Sequence, residues 1–322
     1  MAETLPTWDT DNVESLRDFS RIRLIAADLD GTLLQTGSSG VYKTIGQLHR
    51  SLHYKYQVHL TLATGRTLAG VSPILREIWI PEGTPLILYN GSLVVLKKQN
   101  TQFDTKLKKT ISVEAFHKIL ETAYSHEVRI LVYFYEYPTQ ECLNPQATGE
   151  YVLGWSRIGR TEYEFNGMPV RWQDNLLLHN EYSPTAIIID VSKDSKVAAI
   201  LEEELSRING ISYTQSGPAY IEIKPENSNK GIALELVSEL LHFSRDEVLA
   251  IGDNDNDSEM LAWSGIGTAV AGSSPTALAS SDYVCRYGIA KGAIQVMRLV
   301  KHARRYYYKP MKDLVGNHNE SH

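Results

Sequence analysis

The chain has 322 residues, 43% hydrophobic and 22% charged, a composition that excludes a largely disordered protein and leaves room for about two domains. Lysine and arginine number 32 against 38 aspartates and glutamates, so the formal charge is −6, a poor basis for binding nucleic acid or an anionic membrane. The two cysteines, Cys142 and Cys285, are too few for a disulfide framework and fit a reducing, cytoplasmic setting.

The opening MAETLPTWDTDNVE has neither a basic nor an apolar signal segment, no apolar run nears the ~18 residues of a membrane span, and the N-x-S match at Asn319 is not expected to be glycosylated. Residues 1–20 read as a polar lead-in. RIRLIAAD (21–28) reads as a short buried strand that runs into DLDGTL, with Gly31 and Thr32 as turn and helix-start residues. A helix is expected over about 41–55, a strand over 58–66 ending in a Thr-Gly turn, and a helix near 73–79 with Pro73 at its first position. LILYNGSLV (86–94) reads as a third strand, broken by Asn90-Gly91.

Beyond residue 94 the pattern changes. A hairpin-like polar stretch, a helix at about 112–126, a strand RILVYFYEY, a long irregular stretch rich in Tyr, Trp and Gly, a strand TAIIIDVS, a helix at about 194–207 and the strand AYIEIKP (219–225) make a mixed α+β block. The α/β pattern then returns. Residues 230–242 form an amphipathic helix with Ile232, Leu236, Val237, Leu240 and Leu241 on one stripe. EVLAIGDNDND, GIGTAVAG, DYVC and a final helix complete the chain, with no internal repeat.

The chemistry concentrates in carboxylates. Asp28 and Asp30 are two apart at a strand end and address the same side. Asp253, Asp255 and Asp257 follow a second apolar strand, and if the two strands are parallel neighbours their loops meet above the sheet. Clustered carboxylates call for a cation, and oxygen donors without sulfur or histidine favour Mg²⁺. A calcium loop of the EF-hand type fails at Ser258, where glycine is required, and at Ser264, where glutamate is required. Thr64 supplies a hydroxyl at a strand end, Gly65 lets backbone N–H groups approach an anion, and Lys230 puts an ammonium at a helix start, all of which suit phosphate.

DLDGTL (28–33), TLATGR (61–66), Lys230-Gly231 and GDNDND (252–257) resemble, in order, the four motifs of haloacid dehalogenase-like phosphatases. Asn90-Gly91 and YIEIKPENSNKG (220–231) look like the Cof-type (IIB) subfamily, whose large α/β cap lies between the second and third motifs. The spacing agrees: about 32 residues separate Thr32 from Thr64, too few for a domain, and about 166 separate Thr64 from Lys230. The resemblance implies a Rossmann-like three-layer core with a parallel sheet (residues 21–92 and 221–322) and an inserted α+β cap (93–220) that selects the substrate.

It further implies a Mg²⁺-dependent phosphatase acting on a small phosphorylated metabolite such as a sugar phosphate. Asp28 would be the nucleophile that forms an aspartyl-phosphate, and Asp30 the acid and base. The metal would be held by Asp28, the Asp30 carbonyl, Asp253 and, directly or through water, Asp257. Thr64 and Lys230 would balance the phosphoryl charge. Gly65, Arg66, Asn90, Gly91 and Asn256 would bind substrate, although an ion pair suits Arg66 equally. Where Cof-type proteins often read MGNA, this chain has AGSS (271–274), with Ser273 in the asparagine's place.

A phosphomutase and a non-catalytic phosphometabolite-binding protein are the competing readings. An ion-pumping ATPase, which also uses an aspartyl-phosphate, is not expected, since the sequence shows no membrane helices. Tyr133, Phe134, Tyr135, Tyr137, Trp155 and Trp172 could stack on a sugar or flavin ring, but alternation over 133–137 favours an ordinary half-buried strand. His49 and His53, one helical turn apart, could pair on a metal; a surface helix is the preferred reading. The basic, aromatic KHARRYYYKP (301–310) is read as an exposed helix end or an oligomer contact rather than a nucleic-acid site, and the protein as a monomer or homodimer.

Overall fold

A computed structural model describes residues 2–7, 16–34, 39–99, 102–136, 149–163, 167–179, 182–191, 195–216 and 219–307. Cys142, Tyr137, Asn319 and the tail beyond Tyr307 lie outside these residues. The strands in chain order are β1 Glu3–Thr4, β2 Leu24–Ala27, β3 His59–Leu62, β4 Pro85–Leu88, β5 Leu93–Lys97, β6 Phe103–Lys108, β7 Arg129–Tyr135 and β8 Glu150–Trp155. They continue with β9 Val170–Trp172, β10 Ala186–Asp190, β11 Ile211–Ser216, β12 Tyr220–Pro225, β13 Val248–Gly252, β14 Ile266–Ala269 and β15 Tyr283–Val284. The helices are α1 Ser39–Tyr56, α2 Leu68–Glu77, α3 Val113–Ser125, α4 Ser195–Leu205, α5 Lys230–Leu240, α6 Ser258–Trp263, α7 Pro275–Ala279 and α8 Lys291–Tyr307. The chain divides into two compact units, residues 1–62, 76–84 and 234–322, and residues 63–75 and 85–233.

The first unit is built on a six-stranded parallel sheet of order β1-β15-β14-β13-β2-β3. All four residues of β2 are fully buried, the pattern of a strand covered on both faces, which is why LIAA reads as a continuous apolar run instead of an alternating one. β2 and β13 are direct parallel neighbours, with Ala27 opposite Ile251. The stretch read as a polar lead-in adds the edge strand β1 and buries Leu5, Leu16 and Phe19.

α1 packs against α8 and β3. The basic end of α8 is not all surface. The Arg304 guanidinium is buried and donates to the Ser20 and Tyr56 carbonyls at 2.8 Å each, tying α8 to the end of α1, whereas Tyr306 and Tyr307 are exposed. Cys285 is buried, and burial pushes its thiol up to about 12, so it is inert as a nucleophile. Among the described residues no helix is long and apolar enough to cross a membrane.

The surface-helix reading of His49 is corrected. His49 is 1% exposed and sits among His53, Trp79 and, beyond His53, His59. A carbonyl can only accept, so His49 Nδ1 carries the proton and donates to the Trp79 carbonyl at 3.0 Å. Burial, with the His53 ring adding to it, pushes the His49 imidazole from 6.5 down to about 3. The unfolded chain therefore holds this proton more tightly. The neutral ring's stability is fully present above pH 6.5 and is lost as pH falls toward about 3. Over that window the wild type's unfolding free energy should fall faster than that of His49→Phe, by up to ~1.4 kcal/mol per pH unit. Parallel slopes in urea unfolding at several pH values would contradict this.

The second unit carries a six-stranded sheet of order β11-β12-β10-β7-β8-β9, antiparallel except for the parallel β8–β9 pair. α3 and α4 cover one face, and between them and the sheet lies a core that includes Phe116, Ile119, Leu120, Val132, Ile187, Ile189, Leu201 and Ile221. Alternation sends Phe134 into that core and Tyr133 and Tyr135 to the opposite face, where Tyr133 packs on Tyr89. All three are buried, so the strand is covered on both sides and not half-buried as expected. The irregular stretch after β7 contains two further strands, β8 and β9, and β11 is an added edge strand.

A smaller antiparallel sheet, β4-β5-β6, completes this unit. The expected single strand over 86–94 is thus two strands, β4 and β5, folded back on each other through the turn Tyr89–Gly91. The helix expected near 73–79 begins instead at Leu68 and holds Pro73 in its interior. Its start is capped by the Thr67 hydroxyl, which accepts from Gly70 N at 2.9 Å.

Candidate active site

In the first unit the β2 and β13 loops leave the sheet side by side. Asp28 N donates to the Ile251 carbonyl, which carries the sheet pairing up to the first carboxylate. The chain then turns at Gly31, whose φ is +92°. A Cβ there would stand 2.2 Å from Asp253 Oδ2, so the position needs glycine for both its conformation and its space. The Thr32 hydroxyl donates to Asp253 Oδ1 at 2.7 Å. Asp257, fully buried, accepts the Asp253 and Asn254 N–H groups on Oδ2 at 2.9 and 3.0 Å, which pins the loop after β13.

These constraints bring one carboxylate oxygen each from Asp28, Asp253 and Asp257 within 4.8 Å of one another. Three like charges at that spacing repel by roughly 3–4 kcal/mol per pair at an effective dielectric of 20, a load that a divalent cation relieves. The donors are all oxygen, and the set fits a hard cation such as Mg²⁺. Asp30 is exposed and stands outside this triad, and Asn256 is half-buried on the turn Asp255–Asp257. Ser273 directs its hydroxyl to the Val270 carbonyl at 2.7 Å, so the residue in the family asparagine's place serves the backbone.

In the second unit Thr64 is fully buried, and its hydroxyl accepts Arg66 N at 3.1 Å. Asn90, at φ 52° and ψ 34°, donates its backbone N–H to the Thr64 carbonyl at 3.0 Å. Gly91 (φ +94°) lies on the residue before Lys230: a Cβ would meet the Asn229 carbonyl oxygen at 2.1 Å. Lys230, at the first position of α5, is fully buried. Thr64, Gly65, Arg66, Asn90, Gly91 and Lys230 therefore form one connected group.

Sequence reasoning missed two carboxylates in this unit. Glu150 accepts Leu68 N and the Tyr89 hydroxyl on Oε1 and Ala69 N on Oε2, all at 2.6 Å, placing a negative charge on the N-terminus of α2. Glu222 accepts the Asn90 amide at 3.0 Å. Their partners are 61 to 132 residues away, and no local pattern signals them. Glu150→Ala should lower the unfolding free energy in urea by about 2–4 kcal/mol, since three donors to one charged acceptor are lost together. A change below ~0.5 kcal/mol would show that water replaces the carboxylate without loss.

A family model for haloacid dehalogenase-like hydrolases matches residues 25–297. This chain belongs to the haloacid dehalogenase-like hydrolases. It is an enzyme of their Cof type, a phosphatase. YxeH of Bacillus subtilis (strain 168), named as a phosphatase, is 27% identical over 288 residues, 87% of this chain and 99% of its own length. YcsE of the same organism, a 5-amino-6-(5-phospho-D-ribitylamino)uracil phosphatase, is 24% identical over 280 residues, 86% of this chain and 95% of its own. The solved structure of a HAD/COF-like hydrolase from Plasmodium vivax superposes with a TM-score of 0.70 at 18% identity, over 92% of this chain and all of that one, a likeness of fold.

Proposed function

We propose that this hydrolase is a Mg²⁺-dependent phosphatase of small phosphorylated metabolites that works through an aspartyl-phosphate at Asp28. The acidic triad Asp28–Asp253–Asp257, with Thr32 bonded to Asp253, is the observation that carries the reading. Asp28, Asp253 and Asp257 would hold the Mg²⁺, together with the Asp30 carbonyl. When bound, the ion neutralises clustered charge and draws electrons from a phosphate oxygen.

The protein's own groups account for the remaining steps. An Asp28 carboxylate oxygen attacks phosphorus as the bond to the leaving oxygen breaks, and Asp30 delivers its proton to that oxygen. Asp30 then takes a proton from water, whose oxygen attacks phosphorus; the Asp28–phosphorus bond breaks and phosphate leaves. Thr64 and Lys230 bind the non-bridging oxygens, and Asn256 positions the phosphate. Residues 93–220 form the cap, which contributes to selecting the leaving group, and residues 21–92 and 221–322 form the core. The protein is placed in the cytoplasm as a monomer or homodimer.

The test is phosphate release from a panel of phosphorylated metabolites with Mg²⁺ and with EDTA. The panel includes 5-amino-6-(5-phospho-D-ribitylamino)uracil because of the YcsE relative. Mg²⁺-dependent release supports the reading. Release that persists in EDTA, or none from any member, goes against it.

A further inference from the structure

The sheet of the second unit has two unlike faces. Ile221 and Ile223 of β12 point into the core under α3 and α4. Period two therefore sends Glu222 to the opposite face, where its cross-strand partners are Ile188 and Thr214, and Leu131 lies beyond Ile188. Glu222 is a half-buried carboxylate on an inner strand, between one aliphatic and one hydroxyl neighbour, where a polar group can use it.

Its surroundings indicate what uses it. A carboxylate only accepts, so the Asn90 amide presents Nδ2 to Glu222 Oε2 at 3.0 Å. Asn90 is 5% exposed, and Gly65 leaves room for the amide: a Cβ at Gly65 would stand 3.0 Å from Asn90 Nδ2. The same asparagine is bonded through its backbone to Thr64, and the next residue packs on the Asn229–Lys230 backbone. Glu222 is thus tied directly to the Thr64–Lys230 group that, in the reading above, holds the phosphate. Among the described residues Asn90 is the one side chain hydrogen-bonded to Glu222, through one oxygen. The other oxygen is available to a ligand's donor.

We infer that Glu222 is a specificity-determining residue: its carboxylate, oriented by Asn90, accepts a hydroxyl of a neutral polyhydroxylated leaving group and repels leaving groups that bear a carboxylate of their own. This rests on the phosphatase reading. A hydroxyl donor gains a charge-assisted hydrogen bond at this position, while a second carboxylate meets a like charge in a partly desolvated setting. A hydrogen-bonding site also rejects analogues that leave it unpaired.

The experiment compares kcat/KM for ribitol 5-phosphate and 2-phosphoglycolate in the wild type and in Glu222→Gln, with p-nitrophenyl phosphate as a leaving group that has neither feature. The wild type should favour ribitol 5-phosphate, and the variant should lose roughly 10- to 100-fold of that preference, mainly as a higher KM for the polyol ester. Glu222→Asp, which keeps the charge but shortens its reach, should still discriminate against 2-phosphoglycolate while binding the polyol ester more weakly. A wild type that prefers 2-phosphoglycolate overturns the inference, as does a ratio that stays within twofold in folded Glu222→Gln. If the wild type hydrolyses none of the three, p-nitrophenyl phosphate included, it is the phosphatase reading that fails.

Discussion

Asp28→Asn is expected to lower kcat by roughly 10⁴-fold or more while leaving the fold and phosphate binding close to wild type. The amide keeps one oxygen in the place of the carboxylate and nearly the same volume, so the hydrogen bond from Asp28 N to Ile251 and the turn at Gly31 are undisturbed. It loses the electron-rich oxygen that attacks phosphorus in the proposed mechanism. The Asp253 and Asp257 carboxylates remain, so Mg²⁺ binding should weaken without vanishing. Steady-state phosphate release together with calorimetric Mg²⁺ titration separates these effects. An Asp28→Asn protein that turns over at a near-wild-type rate would remove Asp28 from the role of nucleophile.

Asp253→Ala is the second large effect. It takes away one of the three clustered carboxylates and the acceptor of the Thr32 hydroxyl in one step. We expect the Mg²⁺ affinity to fall by roughly 100-fold or more, with activity lost at ordinary Mg²⁺ concentrations. Mg²⁺ should raise the Tm of the wild type by binding only the native state, and should leave the Tm of this variant unchanged. The metal-free forms should differ little in the harmful direction, because removing one carboxylate relieves like-charge repulsion worth roughly 3–4 kcal/mol per pair. A variant whose activity survives in EDTA, or whose Tm still climbs with Mg²⁺, would place the cation elsewhere.

What was legible in the sequence depended on how local its cause was. β2 and β13 could be read because a strand buried on both faces needs an unbroken apolar run, and the carboxylates follow each of them directly. The meeting of Asp28 with Asp253 and Asp257 needed only that the two strands be parallel neighbours, which they are. The start of α2 was misread because Pro73 drew the boundary to itself, although Thr67 was a local signal for a start at Leu68. Its second stabiliser, Glu150, lies about eighty residues away and could not be seen. β8 and β9 were hidden in a stretch whose glycine and aromatic content imitates a loop. Gly154 is there because Val170 and Trp172 of the neighbouring strand occupy the space of its side chain.

The same division runs through the polar residues. Arg304 sits in a basic, aromatic segment that reads as surface, yet the carbonyls of Ser20 and of Tyr56 at the end of α1 hold it inside. His49 reads as a surface residue until Trp79 covers it. In each case the residue is polar because a distant backbone group needs a partner, which a single sequence does not display.

The measurement that bears most directly on the account is the fate of the phosphoryl group during turnover. Acid quench of the enzyme with a phosphorus-labelled substrate, followed by peptide mapping at acidic pH, where the acyl phosphate survives, reads out a covalent aspartyl-phosphate. The account predicts label on the peptide that contains Asp28, and none in Asp28→Asn. Label on another residue, or rapid hydrolysis with oxygen from water passing straight to phosphate and no enzyme-bound phosphorus at any quench time, would contradict it.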